Sequence, residues 1–339
     1  MPHSGNEARF NLKLEPPVSV RLVSYTPDAP SLVAASARVT VSKKSLEGAL
    51  RLKEEEVELW IRELIRRGHG SPLEHATYTF EVVCSRVCSH QLVRHRHASY
   101  TQHSMRHSEG FLRRMVLELC EHLGRSCPER PRSKPDFAVY AETLREAAET
   151  LDTHLLASAT SKGYVIPPSL LADEHALRTL AATYVLATAA YYSMLSRGVR
   201  MEDARFLIPQ AVRTRIVVTM NARELLEVFL PLRMCSRAQW ELRLVAWMIR
   251  EALASVHPEI FKYAGPRCLL EHNRTAEPCT LEDLLHGLCT PAINRCPELV
   301  PQKAIRSCLA AAARQYATLA RKGQTHQPYE RNRYNRLLQ

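Results

Sequence analysis

The chain is 339 residues long, 45% apolar and 24% charged. That balance supports a sizeable buried core and excludes a mostly disordered protein. Lys and Arg outnumber Asp and Glu by 46 to 35, a net charge of +11, which favours anionic partners. No apolar run reaches the length of a spanning helix, and the opening Met1-Pro-His-Ser-Gly lacks the layout of a secretion signal, so a cytoplasmic protein is expected.

Most of the cations are Arg, which suits a fixed, bidentate grip on phosphate. Only 11 residues are Gly, with no G-x-G-x-x-G and no phosphate-loop motif. A nucleotide must therefore be held without a glycine loop. The ten Cys read as reduced thiols or as a metal site.

In chain order, residues 1–17 read as a loose tail ending in Pro16-Pro17, and the alternating residues 18–25 predict a strand. Residues 45–67 predict one helix with Ser45 as N-cap. Val57, Trp60, Ile61, Leu64 and Ile65 make its apolar face, and Arg66, Arg67 and Gly68 close it. Residues 76–84 predict a strand and 85–96 a helix. Residues 112–163 read as a helical insertion, with a Pro/Arg/Cys segment at 127–135 and a helical pattern at 137–156. Residues 173–197 predict a helix ending at Gly198, 214–220 a buried strand, and 222–230 and 238–256 two helices split by Pro231.

Residues 266–339 differ in composition and read as an extension. Cys268, Cys279, Cys289 and Cys296 are spread through it, and a basic tail (Arg331, Arg333, Arg336) ends it. Their spacings lack the short C-x-x-C of structural zinc sites, and no metal is expected. Cys84 and Cys88 read as buried thiols.

The most unusual stretch is 94–107. Seven of the 15 His lie between His69 and His107, and Arg94, Arg96 and Arg106 sit among Ser, Thr and Gln donors. No acid occurs from Arg86 to Ser108. A solvated face mixes signs, whereas an anion pocket does not. On a helix, Gln91 and Arg94 would present an amide and a guanidinium to one ligand.

Arg94-His95-Arg96-x-x-Ser99, followed by Ser104-x-Arg106, resembles the signature of the flavin-dependent thymidylate synthases. Ser71-Pro-Leu-Glu-His75, Glu202-Asp-Ala-Arg205 through Pro209, Thr219-Met-Asn-Ala-Arg223, and Arg233 with Ala238-Gln-Trp-Glu241 are similar to that family's other segments. They occur in the family's order and cover about residues 20 to 265. The resemblance implies an α+β fold, a twisted sheet flanked by helices, in a catalytic domain at 18–265. It also implies a homotetramer with active sites at subunit interfaces.

The implied reaction converts dUMP to dTMP with methylenetetrahydrofolate and NADPH through FAD. Flavin residues would be His75, Thr77, Arg94, His95, Arg96, Gln102, Asn221 and Arg223. Gln91, Arg94, Gln102, His103, Ser104, Met105, Arg106, Arg205 and Arg233 would surround dUMP. Ser104 and Arg106 would clamp its phosphate. Arg233 would be the catalytic residue, stabilising negative charge at the pyrimidine. dUMP and folate are then the partners, with neither nucleic acid nor membrane.

The sequence departs from the family pattern at Gln102, often an acid, and at His107, usually Tyr. Glu227 stands where Asn or His commonly faces the flavin, and is not counted in the site. The segment before Arg233 is one residue longer, at Leu230-Pro231. These departures leave room for a paralogous flavoenzyme performing another one-carbon transfer on a pyrimidine nucleotide. A basic nucleic-acid-binding protein is the rival from another class, but Tyr100 alone could stack a base in the signature region.

Overall fold

Four segments pair into one sheet in the order β1-β2-β4-β3: β1 (Ser19–Tyr25), β2 (Thr77–Ser85), β3 (Ala98–Gln102) and β4 (Arg213–Asn221). β1 runs antiparallel to β2, and β3 antiparallel to β4, with Ala98 opposite Met220 and Gln102 opposite Ile216. The structure, a computed structural model, describes residues 13–43 and 45–322. The basic tail at Arg331, Arg333 and Arg336 lies outside the described residues.

The chain forms two compact units. The sheet unit holds 18–84, 88–102 and 215 onward; the helical unit holds the N-terminal residues to 17, with 85–87 and 103–214.

In the sheet unit, side chains alternate with the strand period of two. Tyr78, Phe80, Val82 and Cys84 of β2 and Ile216, Val218 and Met220 of β4 face the core. Helix Ala29–Val39 adds Val33 and Ala37, helix Glu54–Arg67 adds Val57, Ile61, Leu64 and Ile65, and helix Trp240–Val256 adds Leu242, Val245 and Ile249. Each large apolar side chain so buried contributes roughly 1.5–3 kcal/mol. The extension joins the same core through Leu269, Leu281, Leu284 and Leu309.

The helix expected over 45–67 is two helices. Ser45 caps the short Leu46–Ala49 by accepting from the Gly48 amide at 3.3 Å. A second start follows where the Glu56 carboxylate accepts the Lys53 amide at 3.1 Å. Gly68 ends the second helix as expected, in the left-handed region at φ 67°. Helix Ala29–Val39 and strand β3 are additions to the predicted elements. β3 is a half-buried edge strand inside the polar stretch, where no apolar alternation announces it.

The helical unit packs Gly110–His122, Lys134–Thr150, Thr153–Gly163 and Glu174–Ser196 around Leu112, Met115, Leu119, Tyr140, Leu144, Leu177 and Tyr192. The pattern at 137–156 breaks because Asp152 starts a new helix, its carboxylate accepting the amides of His154 (2.8 Å) and Leu155 (3.0 Å). Residues 13–17, part of the expected loose tail, are held. Arg213 donates to the carbonyls of Glu15 and Pro17, and Glu15 pairs with Lys162 and Arg114.

Not all cysteines are reduced thiols. Cys120–Cys127 is a disulfide in the helical unit and Cys279–Cys289 one in the sheet unit. Folding brings their Cα atoms to 6.2 and 6.6 Å, a proximity that linear spacing does not report. Among the described residues, no helix is long and apolar enough to cross a membrane.

Candidate active site

In the sheet unit, the site begins where helix Arg86–Leu92 gives way to a turn. Tyr100, on β3, sets its hydroxyl 2.9 Å from the Leu92 carbonyl and 2.8 Å from that of His95. The turn is thereby pinned, with Arg94 and Arg96 exposed and His95 buried. Neither arginine forms an ion pair among the described residues; Glu224 and Glu74 pair instead with His95 and Arg223.

His95 is the centre of a buried array. Arg233 Nε donates to His95 Nε2 at 2.9 Å, and His95 Nδ1 lies 2.9 Å from Glu224 Oε1. A ring nitrogen that accepts from a guanidinium carries no proton, so the proton is on Nδ1 and is donated to the carboxylate. The ring is held edge-on to Phe229, centroids 5.0 Å apart. His95 and Glu224 side chains are each 3% exposed, so a lost partner would leave a costly buried polar group. Burial pulls the Arg233 pKa below its ordinary value, yet guanidinium stays charged. His95, one of the expected flavin residues, turns its side chain inward, where it meets Arg233 and Glu224.

Arg233 follows a π-helical turn, Glu224–Phe229, a wider turn than that of an α-helix. Pro231 therefore does not split two helices; it lies in the first turn of the short helix Leu230–Arg233, where its missing N–H is harmless. Asn221 starts this region, its Oδ1 accepting the Glu224 amide at 2.8 Å.

The other expected flavin residues are more open. His75, Thr77 and Arg223 are exposed. Thr77 contacts Thr26, hydroxyl to hydroxyl, at 3.2 Å. Arg223 pairs with Glu74 and Glu227. Gln91 is half-buried, and Gln102 donates its amide to the buried Ser89 hydroxyl at 2.9 Å.

His103, Ser104, Met105, Arg106 and Arg205 belong to the helical unit. Ser104 Oγ accepts the Arg106 amide at 3.3 Å, a local turn bond, while Met105 is buried as an anchor. Arg106 is exposed and lines an open depression with His107, Arg200, Met201 and Glu202. Arg205 donates to the Glu202 carbonyl at 3.1 Å. Burial, with the Arg205 charge adding to it, pushes the Arg86 pKa down.

Among the described residues, two trios of metal-capable side chains have ligand atoms within 4.8 Å of one another: His272 with Cys279 and Cys289, and Cys84 with Cys88 and Glu241. In the first the two sulfurs are bonded to each other. In the second, hydrogen bonding to Cys84 and burial push the Cys88 thiol well up. Glu224 and the structural role of Tyr100 were missed from sequence. Glu224 follows Asn221 at the cap spacing, a signal that was available.

A family profile described as thymidylate synthase complementing protein matches residues 21–259. A flavin-dependent thymidylate synthase of Aeropyrum pernix is 48% identical over 304 residues, covering 87% of this chain and 93% of that relative.

The chain belongs to the flavin-dependent thymidylate synthase family.

Another such synthase, from Saccharolobus solfataricus, is 38% identical over 298 residues, covering 86% of this chain and 95% of that one. Among solved structures, a Helicobacter pylori thymidylate synthase X crystallised with FAD and dUMP superposes with a TM-score of 0.52 at 21% identity. It covers 72% of this chain and 97% of the other. A UMP/dUMP methylase, PolB, from Streptomyces cacaoi gives 0.52 at 22%, covering 74% and 95%. These neighbours support the α+β fold of the flavin-dependent thymidylate synthase family.

Proposed function

We propose that this chain reductively methylates dUMP to dTMP, with FAD as cofactor, methylenetetrahydrofolate as one-carbon donor and NADPH as reductant. One observation carries the reading: a single turn leaves Arg94 and Arg96 exposed without an acid among the described residues, and buries His95 against Arg233. That donor set, cationic and unneutralised, fits a cofactor that carries a diphosphate. His75, Thr77, Arg94, His95, Arg96, Gln102, Asn221 and Arg223 would hold FAD, whose reduced ring would supply the reducing equivalents for the transferred carbon.

The chain's own part is to bind and polarise. Arg233 is gripped only at Nε, and its terminal amines make no hydrogen bond among the described residues. They are available to negative charge developing on a pyrimidine, already oriented before substrate arrives. Ser104 still has its hydroxyl proton to donate and, with Arg106 and Arg205, would take the nucleotide phosphate. Cys235, close in sequence to Arg233, has its thiol pushed up by burial, so it is a poor nucleophile at neutral pH. The assembly would be a homotetramer with shared active sites. Phe206, next to Arg205, is 85% exposed, and an apolar ring in solvent beside a binding residue supports a subunit contact there.

The test is tritium release from 5-labelled dUMP by the flavin-loaded protein, with the product identified by mass. The reading requires dTMP and loss of release when the folate is omitted. A different methylated or hydroxymethylated product would replace it with the paralogous one-carbon transfer.

A further inference from the structure

Arg223 lies in a row of alternating charges within the sheet unit. Its Nη1 donates to Glu74, and its Nε donates to Oε2 of Glu227 at 3.1 Å. Oε1 of Glu227 accepts from Arg274 at 3.0 Å. Arg274 lies in helix Arg267–Thr275, beyond residue 259 where the family profile stops. Among the described residues Nη2 of Arg223 makes no hydrogen bond, and the side chain is 45% exposed. Glu227 is only 13% exposed. The backbone of Gly70 packs against the pair: a Cβ there would lie 2.5 Å from Arg223 Nε and 2.8 Å from Glu227 Oε2.

Two consequences follow from charge and geometry. Without Arg274, the row Glu74–Arg223–Glu227 carries one net negative charge, which opposes an anionic ligand. Glu227, released at Oε1, could also close side-on over Nε and Nη2 of Arg223. That fork is the stronger carboxylate–guanidinium geometry, and it would take one of the two N–H groups of Nη2, the nitrogen of Arg223 that is otherwise unpaired among the described residues.

We propose that Arg274 is a positioning residue for cofactor binding. By holding Oε1 of Glu227, it prevents that carboxylate from closing over Arg223 and keeps Nη2 for the anionic groups of the flavin. The proposal rests on the flavin reading above and extends it to a residue of the C-terminal extension. It also accounts for a carboxylate at position 227: its charge is offset from both sides.

FAD titrated into the apo-protein, followed by flavin fluorescence, tests this, with urea unfolding of the same apo-proteins as the control. Arg274→Met is expected to raise the FAD Kd about tenfold, and Arg274→Lys by less. Adding Glu227→Gln to Arg274→Met should return the Kd to within about threefold of wild type, because a neutral amide neither repels the ligand nor locks Arg223. A purely structural Arg274 would lower apo stability and show no rescue. An Arg274→Met Kd within about twofold of wild type, or a loss that Glu227→Gln leaves unchanged, overturns the proposal while the flavin reading stands. A wild-type chain that takes up no FAD removes both, and that arm is read separately.

Discussion

Residues 94–107 form one continuous polar stretch, but its two ends are built by different means. In the sheet unit, the buried His95 takes its orientation from residues far along the chain, Glu224 and Arg233, which are 129 and 138 positions away. In the helical unit, the Ser104–Arg106 turn is closed by a bond between neighbours two residues apart. The first kind of site is set before ligand arrives, because each buried polar atom has one satisfying arrangement. The second kind is exposed and local, so its side chains gain order only when an anion binds. On the proposed function, catalysis would draw most from the first kind and substrate affinity from the second.

That contrast can be broken at the preorganised end first. Arg233→Met should cut the rate of dTMP formation by about a hundred- to a thousandfold, the usual cost of removing one fixed charge-stabilising donor. Glu224→Gln should give part of that loss with Arg233 intact. Equal rates for wild type and Glu224→Gln would show that the buried array does not orient Arg233.

At the local end, Arg106→Met should raise the dUMP KM by roughly ten- to a hundredfold, with a smaller change in kcat and little change in unfolding midpoint. Ser104→Ala should follow the same pattern more weakly. A kcat loss as large as that of Arg233→Met would erase the distinction between the two ends.

The two units also allow a matched comparison of stability. Each holds one disulfide closing a short loop, Cys120–Cys127 in the helical unit and Cys279–Cys289 in the sheet unit. Loop-closure entropy assigns each about 2.5 kcal/mol. Urea unfolding of Cys120→Ser and of Cys279→Ser, each against wild type, checks this. Unequal losses would locate the less cooperative unit.

The smallest expected effect concerns pH and the sheet unit alone. His257 Nδ1 lies 2.9 Å from the Tyr78 hydroxyl, and burial pushes its pKa down to about 4. The unfolded ring protonates near 6.5, so between pH 6.5 and 4 the unfolded state holds the extra proton. Stability present above that window is lost as pH falls through it. His257→Gln should flatten the decline in urea midpoint; an unchanged slope would assign the decline to other groups.

Much of the sheet unit was legible. β1 announces itself by alternation, β2 by its strand-forming residues and β4 by a short apolar run, and Gly68 ends its helix where a left-handed residue is needed. β3 was not, because an edge strand half in solvent needs no apolar alternation. Splits at Asp152 and Lys53 were hidden because a cap competes with an apolar pattern running on both sides of it. In the site, Arg94 and Arg96 could be named from local residue types and a missing acid. The inward placement of His95 could not, since it depends on what lies across the core.

The sequence alone determined the family, the strand periodicity, and the cationic turn without counter-charge. These depend on local composition and on order along the chain. Only the tertiary structure decided that His95 faces inward to Arg233, that a π turn precedes Arg233, that two cysteine pairs are bonded, and that Arg274 reaches Glu227. Each of those depends on a distance between residues remote in the chain, and such distances are set by packing rather than by any local pattern.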